Sequence, residues 1–289
     1  IERVSKILMP ILVVLSIGIS VYSVCLPGAM EGVKYLFWPD FSHYSIQTVL
    51  AAMGQMFYSM SLAMGIMITY GSYLKKEDNL EDSVKQIEVF DTGIAILAAL
   101  MIIPAVFSFS GGDQAELGQG PSLMFVTLPK VFDSMPLGGV VGGAFFLLVF
   151  FAALTSAIAL FETTVSTVCD EWHWSRKKAS VAIGVTTFLL GIPSSLGNGT
   201  WSNFKIMGFA FLDFLDFITN SVMMPVGAFL TCIFVGFIVG TKAVSDEVEL
   251  SSPFRRKRMF EVMVKYIAPI CIAAILVSSV LNAFGIVVL

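Results

Sequence analysis

Seven long apolar runs follow one another along this chain and constrain its fold more than any other feature. Their ranges are 5–26, 46–73, 83–111, 138–169, 178–195, 205–240 and 264–286. Each is long enough to cross a hydrocarbon core about 30 Å thick as a helix. Because a backbone exposed to lipid must satisfy its own hydrogen bonds, this pattern predicts an all-α integral membrane protein in a lipid bilayer.

The composition excludes several other classes of protein. Only 13% of the 289 residues are charged, about half the share that is usual in soluble domains. The net charge of -4 offers no basic surface, so we expect no nucleic-acid partner. The sequence contains neither a nucleophile–base set nor a glycine-rich phosphate loop, and it therefore does not predict an enzyme.

The basic residues predict the orientation of the chain in the membrane. From the N-terminus onward, the successive connections carry 2, 1, 3, 1, 3, 1 and 6 of the 17 lysines and arginines. Connections on the cytoplasmic side carry the excess of basic residues in most membrane proteins. We therefore predict a multi-pass protein of the cytoplasmic membrane, with the N-terminus of this chain inside and its C-terminus outside.

Polar and small residues interrupt the second apolar run near its centre. Gln55, Tyr58, Ser59, Ser61 and Gly65 fall together well inside the membrane. One interpretation is a close-packed helix seam, in which small residues let neighbouring helices approach. The other is an unwound segment whose carbonyls and hydroxyls coordinate a cation. These residues by themselves leave both interpretations open.

The fourth run carries a second set of hydroxyl groups. Ala152, Thr155, Ser156, Ala159 and Thr163 recur at helical spacing, so one face of this helix is small and hydroxylic. A packing seam again explains the pattern. Alternatively, the adjacent hydroxyls of Thr155 and Ser156 offer two oxygen ligands to a hard cation.

Acidic residues within the runs call for an explanation, because a charge at mid-membrane costs about 2.5–3.5 kcal/mol. Asp91 lies roughly 12 Å along the third span, and we interpret it as an ion ligand. Glu162 interrupts the fourth span, where structural pairing and proton coupling both remain open. Asp213 and Asp216 lie nearer the outside end of the sixth span, facing water or lining an entry path.

The connection 112–136 contains an apolar stretch, 123–128, between several glycines and prolines. A loop at membrane depth is tolerated only where protein or a water-filled cavity surrounds it. We therefore expect this stretch to fold back onto the helices.

Two motifs resemble helices of a known transporter family. Gly54-Gln55 through Met64-Gly65-Ile66-Met67-Ile68-Thr69-Tyr70-Gly71-Ser72-Tyr73 resembles the sixth transmembrane helix of the neurotransmitter:sodium symporter family, bacterial branch. Phe150-Phe151-Ala152-Ala153-Leu154-Thr155-Ser156-Ala157-Ile158 resembles the eighth. The likeness extends from a fifth helix that begins at Glu2 to an eleventh that ends near Leu289.

The resemblance implies a helical bundle of the inverted-repeat sodium symporter type, with about seven spans in this chain. Residues 1–289 would form a single transmembrane domain, in which 1–26 ends the first repeat, 46–240 forms the second and 264–286 is an accessory helix. The family has four earlier helices, and its unwound first helix contributes to each binding site. We therefore expect these N-terminal helices to be partners that lie before residue 1.

The resemblance also implies roles for individual residues. Tyr58 matches the aromatic residue that covers a bound amino acid. The residues that match substrate-binding positions are Tyr58, Ser59, Ser61, Met64, Ser156 and Leu160. Those that match sodium ligands are Ser59 and Asp91 at a first site, and Ala152, Thr155 and Ser156 at a second. Asp216 falls within one residue of the acid at the external gate.

These matches predict sodium-coupled symport of a hydrophobic or aromatic amino acid, with Na⁺ as the coupling ion. Asp91 replaces the family's asparagine ligand, and its negative charge would make chloride unnecessary. Met64 is a flexible thioether that tolerates varied apolar substrates. The alternative is a proton- or sodium-coupled symporter of another small organic solute. An ion channel is disfavoured, because the sequence has no repeated ring of charges or carbonyls for a filter.

Overall fold

The computed structural model describes residues 2–38, 41, 44–111, 123–197 and 199–283, and every regular element of any length in those ranges is a helix. The helices are α1 (Glu2–Val24), α2 (Ala29–Phe37), α3 (Ile46–Ser59), α4 (Ile66–Gly71), α5 (Leu80–Ser110), α6 (Leu128–Ser134), α7 (Gly138–Trp172), α8 (Arg176–Gly197), α9 (Phe211–Asp216), α10 (Met224–Ile233), α11 (Thr241–Val248), α12 (Lys257–Val262) and α13 (Ala268–Ala283). The connection 112–122, His43 and the end of the last predicted span at 284–286 lie outside the described residues.

Six continuous helical segments in the described ranges are long and apolar enough to cross a membrane. They are Lys6–Val24, Leu80–Ser110, Gly138–Trp172, Arg176–Gly197, Phe211–Val248 and Lys257–Asn282. The second apolar run forms two shorter helices, α3 and α4, with an irregular segment between them. The structure therefore confirms a multi-span helical protein, with the predicted second span broken in two.

Wider helical turns join several of these elements. Wide turns at Phe217–Met223 and Phe234–Gly240 connect α9, α10 and α11, and another at Met263–Ile267 connects α12 to α13. Such π-type turns often occur where a helix bends. Pro225 lies just after the first of them, inside the continuous segment Phe211–Val248, where a proline removes one backbone hydrogen bond of the helix.

The predicted bounds of the sixth span, 205–240, are wrong at both ends. Ile206 and Phe209 exchange backbone hydrogen bonds of 2.9 and 3.0 Å in a tight turn, and the helix begins only at Phe211. At the other end the helix continues through α11 to Val248. Hydropathy missed this extension because Lys242, Asp246 and Glu247 make α11 amphipathic, with Thr241, Ser245 and Val248 on its buried side.

The chain divides into two compact units. The first consists of Ile1–Tyr44 and Glu88–Ile158, and the second consists of Ser45–Ile87 and Ala159–Leu289. Helices α5 and α7 each continue from one unit into the other.

In the first unit, α1, α5, α6 and the start of α7 surround one apolar core. Its centre contains Val106, Leu128 and Val131, and the ring of Phe132 lies 5.3 Å from that of Phe145. The stretch from Leu123 to Ser134 forms a wide turn and α6, with Leu128, Val131 and Phe132 buried. The prediction that 123–128 folds back onto the helices is thus confirmed.

In the second unit, α13 packs against both α10 and α3. A Cβ built on Gly54 in α3 would lie 3.8 Å from Cγ2 of Ile275 in α13, which is ordinary contact. The first half of the broken span is therefore supported along its side by α13, the last helix that the structure describes.

Candidate functional site

The break in the second span occupies residues 60–65 between α3 and α4. Three residues here have left-handed backbone conformations: Ser61 with φ 55°, Ala63 with φ 60° and Gly65 with φ 77°. Glycine adopts this region freely, whereas a side chain makes it costly. Two non-glycine residues in such conformations within three positions show a defined, strained segment, since a frayed helix end would relax to ordinary angles.

Hydrogen bonds close the C-terminal end of α3 but leave later carbonyls without backbone partners. The N–H of Leu62 donates to the carbonyl of Phe57 at 3.2 Å, and α4 resumes with the N–H of Thr69 donating to Gly65 at 2.9 Å. Among the described residues, no backbone N–H donates to the carbonyls of Leu62, Ala63 or Met64. These carbonyls are the kind of oxygen ligand that a broken membrane helix offers to a cation.

Close packing within the second unit determines the geometry of the break. A Cβ on Gly65 would lie 3.0 Å from Cγ2 of Thr163 in α7, and one on Gly227 in α10 would lie 4.0 Å from the carbonyl oxygen of Ala63. The break is therefore in contact with the C-terminal half of α7 and approaches α10. The segment is therefore unwound, as the second interpretation of the sequence requires, and its coordination of a cation stays a prediction.

The predicted site residues fall in both units. Tyr58, Ser59, Ser61, Met64, Leu160 and Asp216 belong to the second unit, and Asp91, Ala152, Thr155 and Ser156 belong to the first. Tyr58 and Ser59 are exposed at the C-terminal end of α3, Ser61 and Met64 are half-buried in the break, and Leu160 is exposed on α7. Four of the six predicted substrate-binding residues thus lie within seven consecutive positions, at the end of α3 and in the break.

The predicted ligands of the second sodium site lie on one turn of α7. The Thr155 hydroxyl donates to the carbonyl of Ala152 at 2.9 Å and to that of Phe151 at 3.1 Å. Because the hydroxyl proton is directed toward the helix backbone, the oxygen lone pairs remain available to an incoming cation. Ser156, the next residue, is exposed. This turn can present one carbonyl and two hydroxyl oxygens.

The two predicted acidic positions differ in their surroundings. Asp91 is half-buried on α5, three turns from its start, and is not without an interaction partner. Asp216 is exposed at the end of α9, where its Oδ1 accepts a hydrogen bond of 2.5 Å from the Asn220 amide. Asp213 is exposed as well, as expected for an acid near the end of a span.

Sequence reasoning left the role of Glu162 open, and the structure identifies its partners. This carboxylate, buried in α7, accepts hydrogen bonds from the guanidinium of Arg176 and, at 2.9 Å, from the Tyr73 hydroxyl. The second unit therefore contains an ion pair that connects the end of the broken span to the start of α8. No signal in the sequence singles out this pair, because Asp170 and Glu171 lie much nearer to Arg176 along the chain.

The described ranges contain no side-chain cluster of the kind that usually binds a transition metal. No group of three or more His, Cys, Asp or Glu side chains there is close enough to hold a metal ion. A sodium site built from carbonyls and hydroxyls needs no such group.

Comparison with known proteins identifies the family. The sequence profile of the sodium:neurotransmitter symporter family matches residues 1–286. The chain belongs to this family. It is 36% identical over 282 residues to an uncharacterised sodium-dependent transporter, YhdH, of Bacillus subtilis, covering 97% of this chain and 62% of that protein. It is also 28% identical to a sodium- and chloride-dependent glycine transporter of Xenopus laevis, covering 90% of this chain and 41% of the transporter.

A solved structure of the same family agrees with the fold. The crystal structure of MhsT in complex with L-phenylalanine matches with a TM-score of 0.82 at 41% identity, covering 95% of this chain and 62% of that one. The chain described here therefore spans about three-fifths of the length of YhdH and of MhsT, and about two-fifths of the glycine transporter. It is a multi-span membrane protein of a transporter family, with sodium-dependent relatives.

Proposed function

We propose that the full-length protein couples the entry of sodium to the uptake of a hydrophobic or aromatic amino acid. The observation that carries the proposal is the break at 60–65, where backbone carbonyls lack backbone partners next to the hydroxyl of Ser61. Such a break supplies polar groups at mid-membrane depth, where an amino acid and its ions must be held away from lipid. Membership of the family supports the same conclusion.

For sodium, we propose two sets of ligands from this chain. Ser59 and Asp91 would contribute to a first site, and Ala152, Thr155 and Ser156 to a second. The bond from Thr155 to the Ala152 carbonyl supports the second set, because it leaves the hydroxyl oxygen ready to accept a cation. Helices of the full-length protein beyond this chain would complete both sites.

For the amino acid, we propose that Tyr58, Ser61, Met64, Ser156 and Leu160 line the pocket. Met64 adapts its shape to bulky apolar groups, and Tyr58 offers a ring that can cover a substrate. The bound phenylalanine of MhsT, whose sequence is 41% identical, supports a substrate of this class. If Met64 shapes the pocket, Met64→Phe should weaken binding of tryptophan more than binding of alanine, and equal losses for both would contradict this role.

We further propose that transport is independent of chloride, since a carboxylate at Asp91 would balance the charge of the bound sodium. Replacement of chloride by gluconate should then leave uptake unchanged. Uptake that collapses in gluconate would refute the proposal. The alternative of proton coupling relied on Glu162, which is already paired with Arg176 and Tyr73, so we favour sodium.

The orientation of the chain is part of the proposal. Within the second unit, Tyr73 contacts Glu162, Glu162 pairs with Arg176, and Asn79 accepts a hydrogen bond from Ser252. These contacts link the three connections that carry three, three and six of the 17 basic residues. Their association supports a common cytoplasmic side in the cytoplasmic membrane. We accordingly place the N-terminus of the chain inside and its C-terminus outside.

The deciding experiment measures binding of labelled phenylalanine to the purified full-length protein in sodium and in potassium buffers. We expect binding in sodium only, and its loss in Thr155→Ala combined with Ser156→Ala. Thr164→Ala is the matched control, because its hydroxyl makes the same kind of helix-backbone bond to Leu160 at 2.9 Å on the opposite side of α7. Binding that persists in potassium, or that is lost equally in the control, would refute the assignment.

A further inference from the structure

A cluster of basic residues lies at the start of α12, where the last described connection enters the helix. This basic turn, Arg255–Arg258, contains four consecutive cationic side chains. The Lys257 ammonium pairs with the Glu249 carboxylate at 2.9 Å. Arg255, Arg256 and Arg258 are exposed, and none has an ion-pair partner among the residues that the structure describes. Glu81 interacts with Arg256 only at longer range, so the three guanidinium groups form no direct ion pair with the described residues.

The backbone of the basic turn is held in place within the second unit. The N–H of Arg255 donates to Oε2 of Glu81 at 3.2 Å, and the Ser252 hydroxyl is 3.1 Å from Oδ1 of Asn79. Oε1 of Glu81 lies 3.3 Å from the Lys85 ammonium. The half-buried carboxylate of Glu81 is thus engaged by a backbone amide and a lysine. The arginines are presented on an anchored segment, which reduces the entropy lost when a ligand binds.

An exposed apolar stripe continues from the basic turn along α12 and α13. Met259, Met263, Tyr266 and Ile270 are all exposed and recur every three or four residues, so they share one helix face. They belong to the segment Lys257–Asn282, which is long and apolar enough to cross a membrane. A cationic turn therefore leads directly into a surface suited to hydrocarbon.

We propose that this basic turn and stripe form a binding site for one anionic phospholipid. The phosphate headgroup would lie among Arg255, Arg256 and Arg258, since guanidinium groups bind phosphate oxygens in a bidentate manner. An acyl chain would lie along Met259, Met263 and Ile270. The positive charge of the three arginines favours an anionic headgroup. The apolar stripe beside them favours a lipid over a soluble phosphate, because only a lipid has an acyl chain to pack there. This inference stands apart from the proposed transport function and does not depend on it.

The test uses the full-length protein in neutral detergent, with dioleoyl phosphatidylglycerol as the probe and dioleoyl phosphatidylcholine as its uncharged counterpart. Native mass spectrometry measures the bound lipid. In Arg255→Gln combined with Arg256→Gln and Arg258→Gln, we expect phosphatidylglycerol to bind about a hundredfold more weakly, because each of the three residues contributes about fivefold. The matched control replaces three exposed lysines of other connections with glutamine, namely Lys75, Lys76 and Lys177, and should retain binding.

Three outcomes would overturn the proposal. The first is equal binding of phosphatidylcholine and phosphatidylglycerol by the unmodified protein. The second is equal weakening in both triple variants, which would indicate a diffuse effect of net charge. The third is that glycerol 3-phosphate, a soluble anion, displaces the lipid completely at millimolar concentration.

A measurement on the unmodified protein covers the case in which the arginine variant does not fold. Photoactivatable phosphatidylglycerol, with its reactive group near the headgroup end of one acyl chain, is cross-linked and the adducts are mapped by peptide sequencing. We expect adducts between residues 255 and 270. Adducts that occur only elsewhere in the chain would contradict the site.

Discussion

The buried carboxylate of Glu162 in α7 pairs with the guanidinium of Arg176, the first residue of α8. The two side chains differ sharply in their exposure, which is 7% for Glu162 and 64% for Arg176. The ion pair therefore joins a desolvated anion to a cation that water can still reach. This asymmetry decides which partner is the more costly to remove.

We predict that Arg176→Gln destabilises the protein more than Glu162→Gln does. Removal of the arginine leaves a buried carboxylate without its counter-ion, which we expect to cost about 2 kcal/mol after allowance for the exposed partner. Removal of the carboxylate charge leaves a guanidinium in water, at a cost under about 1 kcal/mol. Thermal unfolding of the two variants in detergent checks the order, and the reverse order would contradict the explanation.

The Tyr73 hydroxyl gives a second, smaller prediction. It donates to Oε1 of Glu162 at 2.9 Å, and a hydrogen bond to a charged acceptor is stronger than a neutral one. Because Tyr73 is half-exposed, we expect Tyr73→Phe to lower the free energy of unfolding by about 0.5–1 kcal/mol. In a background of Glu162→Gln the loss should shrink, and an unchanged loss would show that the hydroxyl acts through another group.

Gly65 is the position in the break that tolerates a side chain least. Its φ of 77° is left-handed, and a new Cβ would lie 3.0 Å from Cγ2 of Thr163. We expect Gly65→Ala to destabilise the protein by about 1–3 kcal/mol, from backbone strain together with the close contact. Gly71→Ala, at the end of the same short helix with open space around it, is the control, and similar losses in both would refute the argument.

Ala63 carries the opposite prediction. With φ at 60°, alanine is strained by about 1–2 kcal/mol, whereas glycine adopts this conformation freely. Glycine also makes the unfolded chain more flexible, at a cost of about 0.4–1 kcal/mol. Ala63→Gly should therefore leave stability unchanged or raise it by up to about 1.5 kcal/mol when measured without ligand. Ala153→Gly, inside α7, should lower stability by about 0.5–1 kcal/mol. A loss at Ala63 equal to that at Ala153 would mean that the break relaxes.

Most of the fold was predictable because lipid permits few backbone structures. Long apolar runs must be helices there, so six of them could be located from hydropathy, with an error at 205–210 and 241–248 where a tight turn and an amphipathic helix carry the opposite signal. The fold-back of 123–128 was predictable for the same reason, since a short apolar stretch needs other protein around it.

The candidate site was only partly predictable. The Thr155 and Ser156 hydroxyls share a turn of α7 because helical periodicity requires it, and this could be inferred without coordinates. The role of Glu162 could not be inferred, because its partners Tyr73 and Arg176 lie 89 and 14 positions away in sequence. Whether the predicted sodium ligands act as proposed remains a prediction for the binding experiment.

The sequence alone determined that this chain is a membrane helical protein with a polar interruption in its second span. Tertiary structure decided what the interruption is. Gly54 against α13, Gly65 against Thr163 and the approach of Gly227 to Ala63 surround the chain on several sides and hold it in conformations that an isolated helix would not adopt. Local propensity favours a continuous helix through residues 60–65, and only contacts with distant segments can offset the strain of breaking it.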